Sequence, residues 1–172
     1  SVATTALIKS AARIVKNEYE LGNNLAVVVS AMAGTTNSLI NYVDEINNSA
    51  DSEYDVVVSS GEQVTSGLMS LALNEIGVPS RSWLGWQLPI ITSGPHRNSV
   101  IEHINPDKII EGFKEKQVAV LAGFQGLSVN NRITTIGRGG SDNTAVFLAS
   151  ALNAERCDIY TDVDGVYTSD PK

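Results

Sequence analysis

The chain has 172 residues, 42% hydrophobic and 18% charged, enough for one domain with a sizeable core and too few for two ordinary ones. A net charge of −7 argues against a general nucleic-acid binder, which would present a basic face, and no apolar run reaches the length needed to span a bilayer. Cys157 is the only cysteine, which rules out an internal disulfide framework and points to a reducing compartment, so the expectation is a soluble cytoplasmic domain.

Residues 3–20 read as an amphipathic helix rather than a signal peptide, with Leu7, Ala11, Ile14 and Val15 on one side and Lys9, Arg13 and Lys16 around the other. Gly22-Asn23-Asn24 ends it with turn chemistry. LAVVVS (25–30) is a continuous apolar run, the pattern of a strand buried on both faces. AMAGTTN then leads into a helix carrying Leu39, Ile40, Val43 and Ile46. Residues 47–53 form a polar linker, and YDVVVSS (54–60) is β-branched yet equally able to start a helix. From Glu62, apolar residues at 64, 68, 71, 72 and 76 make a helical stripe closed by Gly77-Val78-Pro79.

SRSWLGWQLPIITS (80–93) reads as two short strands broken around Gly85, with Pro89 placing the second at an edge or a strand start. GPHRNS is a loop, and Asn105-Pro106-Asp107 opens a short helix to about Lys114. QVAVLAG (117–123) is a second buried strand, and Asn130-Asn131 marks a hairpin tip between LSV and RITTI. A helix over 141–153 follows, then a short strand in CDIYT (157–161). Strands alternating with helices of this length predict an α/β domain with a mainly parallel sheet and helices on both faces.

Three small-residue loops follow apolar strands, at Ser30–Asn37, Gly123–Gly126 and Thr161–Tyr167. In a doubly wound sheet such loops gather at one edge, where ligands bind. Gly139-Gly140-Ser141-Asp142 taken alone is a tight turn with a good N-cap. In this company it also offers backbone N–H groups and a helix N-terminus to an anion, beside the planar fork of Arg138. Glu62 stands at a helix start, favourable for the helix dipole; paired with Arg138 it supplies the anion and cation that an amino acid's ammonium and carboxylate require. His96, His103, Trp83 and Trp86 form no ligand cluster or stacking platform and read as ordinary polar and packing residues. No zinc spacing, Ser-His-Asp set or P-loop lysine motif is visible.

GRGGSD-x-TA (137–145), IYTDVDGVYTSDPK (159–172) and AGFQG (122–126), preceded in order by VVVSAMAGTTNSL (27–39) and SSGEQVTSGL (59–68), resemble the aspartokinases of the amino-acid kinase family across nearly the whole chain. The resemblance implies a three-layer α/β/α sandwich, the amino-acid kinase fold, and phosphoryl transfer from ATP, with Mg²⁺, to L-aspartate. It implies that Ser30, Thr35 and Thr36 lie near the phosphates and aspartate, and that Glu62 holds the substrate amine. Arg138, Gly139, Gly140 and Ser141 would hold aspartate and the migrating phosphoryl group, and Asp142 would orient catalytic lysines. Thr161, Asp162, Tyr167, Thr168, Asp170 and Lys172 would surround ATP.

The family's Lys-Phe-Gly-Gly-Thr strand does not precede the opening SVA, and the lysine-bearing segment and ACT domains do not follow Asp-Pro-Lys. Residues 1–172 are therefore expected to be a partial catalytic domain, incomplete at both ends and inactive alone, from a homo-oligomeric parent. A sister kinase acting on glutamate, acetylglutamate or a nucleotide, or a non-catalytic remnant, is the alternative.

Overall fold

The computed structural model describes residues 2–137 and 139–160. The chain opens with helix α1 (Thr5–Glu20), capped by Thr4, whose hydroxyl accepts the Leu7 N–H at 3.2 Å. Strand β1 (Ala26–Val29) leads to α2 (Thr35–Ile46), α3 (Asp51–Val58) and α4 (Ser60–Glu75). Then come β2 (Ser80–Trp83), β3 (Ile90–Ser93), β4 (Val100–Ile104), α5 (Asp107–Lys114) and β5 (Val118–Ala122). A hairpin of β6 (Gln125–Leu127) and β7 (Ile133–Thr135) precedes α6 (Gly140–Ala151).

The centre is a parallel sheet of order β1-β5-β2, with every residue of β5 buried. Alternation along the strands sorts the side chains into two cores. Val118 and Val120, with Val27 and Val29, meet Ile8 and Ala12 of α1 and Met69 and Leu73 of α4. Ala119 and Leu121, with Ala26 and Val28, meet Ile109 of α5 and Leu148 of α6, together with Trp83, Ile90, Ile101 and Ile104. Helices therefore cover both faces of a parallel sheet, the α/β/α layering expected from the sequence.

A second sheet, of order β4-β3-β6-β7, is mixed: β3 runs parallel to β6 and antiparallel to β4, and β6 pairs antiparallel with β7. Its strand β4 escapes the sequence pattern for a physical reason. The register slips between Ile91 and Thr92, so Glu102 is skipped and Ile101 and Ile104, three residues apart, both face the core.

The segment left open between strand and helix at 54–60 is helical, and the helix begins inside the expected linker. Asp51 and Glu53 sit in its first turn, where the dipole favours them, and Asp55 and Val58 share its buried face. The expected strand at 157–161 does not form within its described part, since residues 157–160 carry no strand pairing. Two helices also turn differently from their apolar stripes. In α1, Ile8 and Ala12 are buried while Leu7 and Ile14 are exposed; in α4, Val64 and Leu71 are exposed while Glu62, Thr65, Ser66, Met69 and Leu73 are buried. Small and polar residues pack there because α4 lies close against α1 and the sheet.

Candidate active site

β1 and β5 are parallel neighbours, so their carboxyl ends open side by side. Beyond β1, Ser30 and Ala31 turn toward α2; beyond β5, Gly123 and Phe124 turn into the second sheet. A cavity of about 480 Å³ opens there, lined by Ser30, Ala31, Thr36, Glu62, Arg97, Asn98, Phe124, Ile136, Gly137 and Gly139–Asp142. Helices from both layers aim their N-termini at it, α4 through Glu62 and α6 through Gly140, Ser141 and Asp142.

Local chemistry sets each wall. Gly139 caps α6 with φ of 75°, a left-handed conformation, and supplies no side-chain acceptor to the helix's first N–H groups. Such donors and the helix dipole suit an anion. Gly123 lets the turn come close: a Cβ there would stand 2.8 Å from Ser141 Oγ and 3.0 Å from Ser141 Cα. Phe124 holds φ of 65°, donates its N–H to Thr144 Oγ1 at 3.2 Å, and so ties β5 to the first turns of α6. Arg97 is a second left-handed non-glycine in the lining, with φ of 63°. Backbone strain of this kind gathers where a site constrains the chain.

Glu62 is the buried acidic group of the lining. It is 3% exposed, and its Oε1 accepts the Ala31 N–H at 3.1 Å, while Oε2 has no partner among the described residues. Burial pushes its carboxyl up to about 7, against the pull of the backbone hydrogen bonds. A buried carboxylate in a cavity lining, with one oxygen lacking a donor among the described residues, is complementary to a cation that carries N–H groups.

Of the residues singled out in the sequence, Ser30, Thr36, Glu62, Gly139, Gly140, Ser141 and Asp142 share this cavity. Thr35 does not line it; its Cγ2 stands 3.3 Å from the Cβ position of Gly61, packing α2 against the start of α4. Arg138, Thr161, Asp162, Tyr167, Thr168, Asp170 and Lys172 lie outside the described residues. Sequence reasoning did not single out Arg97 and Asn98, which sit in GPHRNS, read only as a loop, or Asp55, a lone acid in an apolar run. The His96 ring, read as an ordinary polar group, donates to that buried Asp55 at 2.6 Å. Among the described residues no three His, Cys, Asp or Glu side chains gather as a metal site.

Comparison with known proteins extends this picture. The chain is 49% identical over 176 residues to an aspartokinase of Rickettsia felis, covering all of itself and 44% of that protein. It is 50% identical over 173 residues to an aspartokinase of Pseudomonas aeruginosa, covering 42% of that protein. The chain thus spans less than half the length of these curated relatives. Among solved structures it resembles aspartate kinase from Synechocystis, with a TM-score of 0.81 and 40% identity over 99% of this chain and 28% of that one. It also resembles E. coli aspartokinase III in complex with aspartate and ADP, with a TM-score of 0.83 and 26% identity over 99% of this chain and 49% of that one. Residues 1–172 match the profile of the Amino acid kinase family from end to end, and the chain belongs to that family.

Proposed function

We propose that the native protein carrying these residues is an aspartate kinase, which transfers the γ-phosphoryl group of ATP to the β-carboxylate of L-aspartate, giving 4-phospho-L-aspartate and ADP, at the head of lysine, threonine and methionine synthesis. Within it, residues 1–172 form part of the catalytic domain. The observation that carries the reading is Glu62, a buried carboxylate in the lining of the cavity edged by the glycine turn of α6, whose Oε2 has no partner among the described residues. The relatives named above support it, as does the aspartate and ADP complex of the E. coli protein.

In this reading Glu62 receives the aspartate ammonium and Arg138 its α-carboxylate. Thr36 and Ser30 stand on the side of the phosphates, Thr35 supports them by packing α2 against the start of α4, and Gly139, Gly140 and Ser141 present backbone and hydroxyl donors to the migrating group. The acceptor needs no general base, because a carboxylate of pKa about 4 is already ionised at neutral pH. One β-carboxylate oxygen forms the bond to Pγ, the bond from Pγ to the bridging oxygen breaks, and ADP leaves with that electron pair. Alignment and charge neutralisation supply the rate. Mg²⁺, bound together with the nucleotide, would supply charge neutralisation for the phosphates. Asp142, in the first turn of α6 on the cavity wall, orients the cations that complete the site. ATP lies against Thr161, Asp162, Tyr167, Thr168, Asp170 and Lys172. A homo-oligomeric parent and a cytoplasmic setting belong to the same reading; the exposed free thiol of Cys157 suits a reducing compartment.

The buried Glu62 carboxylate favours this acceptor over acetylglutamate, whose acylated nitrogen carries no charge to meet it. The test is steady-state kinetics on the native protein. Glu62→Ala and Arg138→Ala should each raise the aspartate KM or lower kcat/KM by about tenfold or more, the value of one charge-assisted contact. Unchanged aspartate kinetics in both variants would sink the assignment.

A further inference from the structure

Asp55 lies on α3, outside the cavity, fully buried, and no step of the proposed reaction uses it. Its carboxylate nevertheless collects donors from two separate segments. His96 Nδ1 donates to Oδ2 at 2.6 Å, and the Arg97 N–H reaches both oxygens, at 3.1 and 3.2 Å. Thr135, at the end of β7 and fully buried, donates its hydroxyl to Oδ1 at 2.6 Å. The two segments are also joined to each other, Ser99 N–H to Thr135 C=O at 3.0 Å and Gly137 N–H to Ser99 C=O at 3.4 Å.

This arrangement explains how the loop can hold Arg97 in the left-handed region, which disfavours a residue that bears a side chain. The Asp55 bonds fix the Arg97 amide, and the guanidinium is anchored on the same side: Nε lies 2.8 Å from Asp51 Oδ1, Nη2 donates to the Asn48 carbonyl at 2.7 Å, and the group stacks 4.0 Å from the Tyr54 ring centroid. With Arg97 committed to α3, the next residue, Asn98, lies against Gly137, where its Oδ1 occupies the space a Cβ would need. Asn98 and Gly137 both line the cavity, immediately beside the Gly139–Asp142 turn.

We propose that Asp55 is a positioning residue: by clamping the Pro95–Ser99 loop to the end of β7, it sets the wall of Asn98 and Gly137 against which the amino-acid substrate is held. The inference rests on the aspartate kinase reading for the identity of that substrate and deepens it. Glu62 and Asp55 then divide the work, the first touching substrate and the second fixing the wall that faces it.

The experiment uses the native protein with Asp55→Asn, which keeps the shape and removes the charge, and with Thr135→Val and Thr135→Ser. Asp55→Asn and Thr135→Val should raise the aspartate KM by about tenfold to a hundredfold, the effect of a site displaced by roughly an ångström. The ATP KM should stay within about twofold, and Thr135→Ser, which keeps the hydroxyl, should recover most of the loss. A merely structural role would lower the thermal midpoint and leave the aspartate KM unchanged; that result overturns the proposal. Hydrogen exchange on the Asp55→Asn variant separates this inference from the reading it rests on. If the unaltered protein shows no aspartate-dependent ADP release, the aspartate kinase reading falls and exchange alone decides. Faster exchange across 95–99 and 134–142 with 64–73 unchanged upholds Asp55 as the clamp, and unchanged exchange in both segments overturns it.

Discussion

Glu62 is the residue on which stability and function pull apart. Its carboxyl titrates near 7 in the folded protein, against an ordinary value of 4.5, because burial disfavours the charge. Between these values the folded state holds a proton that the unfolded state has lost, so stability falls as pH rises across this window and stays at its lower level above about 7. The full difference is on the order of 3 kcal/mol. Gln at this position can still accept the Ala31 N–H, without a charge to desolvate. Glu62→Gln should therefore be more stable than the unaltered protein at pH 8, by about 1–3 kcal/mol in urea unfolding, and show little difference at pH 5. Equal midpoints at pH 8 would contradict the burial argument. The same variant should lose aspartate affinity by about tenfold or more. On the proposed assignment of Glu62 to the substrate ammonium, the aspartate KM of the unaltered protein should fall as pH rises through about 7, where the carboxylate forms.

The helix starts at the cavity, those of α4 and α6, show what was legible in the sequence and what was not. Gly139 and Gly140 before an apolar helix were readable, because a left-handed cap and a close approach both select glycine. The existence of α4 was readable too, but its buried face was not. Periodicity picks out Val64 and Leu71, whereas the helix buries Thr65, Ser66, Met69 and Leu73 against its neighbours, and Glu62 owes its burial to that rotation. Side-chain size at the contact overrode hydrophobicity, a tertiary effect that no single-chain pattern carries. Glycine substitutions test this division. Gly67 lies within α4 with open space around it, so Gly67→Ala should stabilise by about 0.4–1 kcal/mol and leave kinetics alone. Gly123→Ala has no such room, since the new methyl meets the backbone and hydroxyl of Ser141. It should displace the α6 turn and cut kcat/KM for aspartate by about tenfold to a hundredfold. Kinetics close to those of the unaltered protein for Gly123→Ala would mean that the turn tolerates movement the close packing does not suggest.

In the molecule taken whole, the parallel sheet divides two cores, and the cavity lies where both meet its carboxyl edge. The apolar runs 25–30 and 117–123 made the paired strands β1 and β5 legible, but only β5 is buried throughout, since β1 lies at the edge of the three described strands with Ala26, Val27 and Val28 half-buried. Strand β4 of the second sheet was hidden by the bulge at Glu102, and the clamp at Asp55 by its setting in a run of valines whose helical form only packing decides. The division into cores has a measurable consequence. Leu73, on α4, is buried in one core and Leu121, on β5, in the other, each with no exposure, and their side chains share no cluster. Leu73→Ala and Leu121→Ala should each cost about 2–5 kcal/mol, the transfer of the lost methyl groups plus the cavity left behind. Because the backbone of the sheet lies between them, the two losses should add to within about 0.5 kcal/mol in a double-mutant cycle. Their kinetic effects should differ. The Leu121 core contains Ile136 and Leu148 and is packed by Phe124, so it supports the far wall and the α6 turn; Leu121→Ala should raise the aspartate KM, while Leu73, more than two helical turns from Glu62 along α4, should act on stability alone. A coupling well above 1 kcal/mol, or an aspartate KM moved equally by both substitutions, would show that the sheet passes strain from one layer to the other rather than separating them.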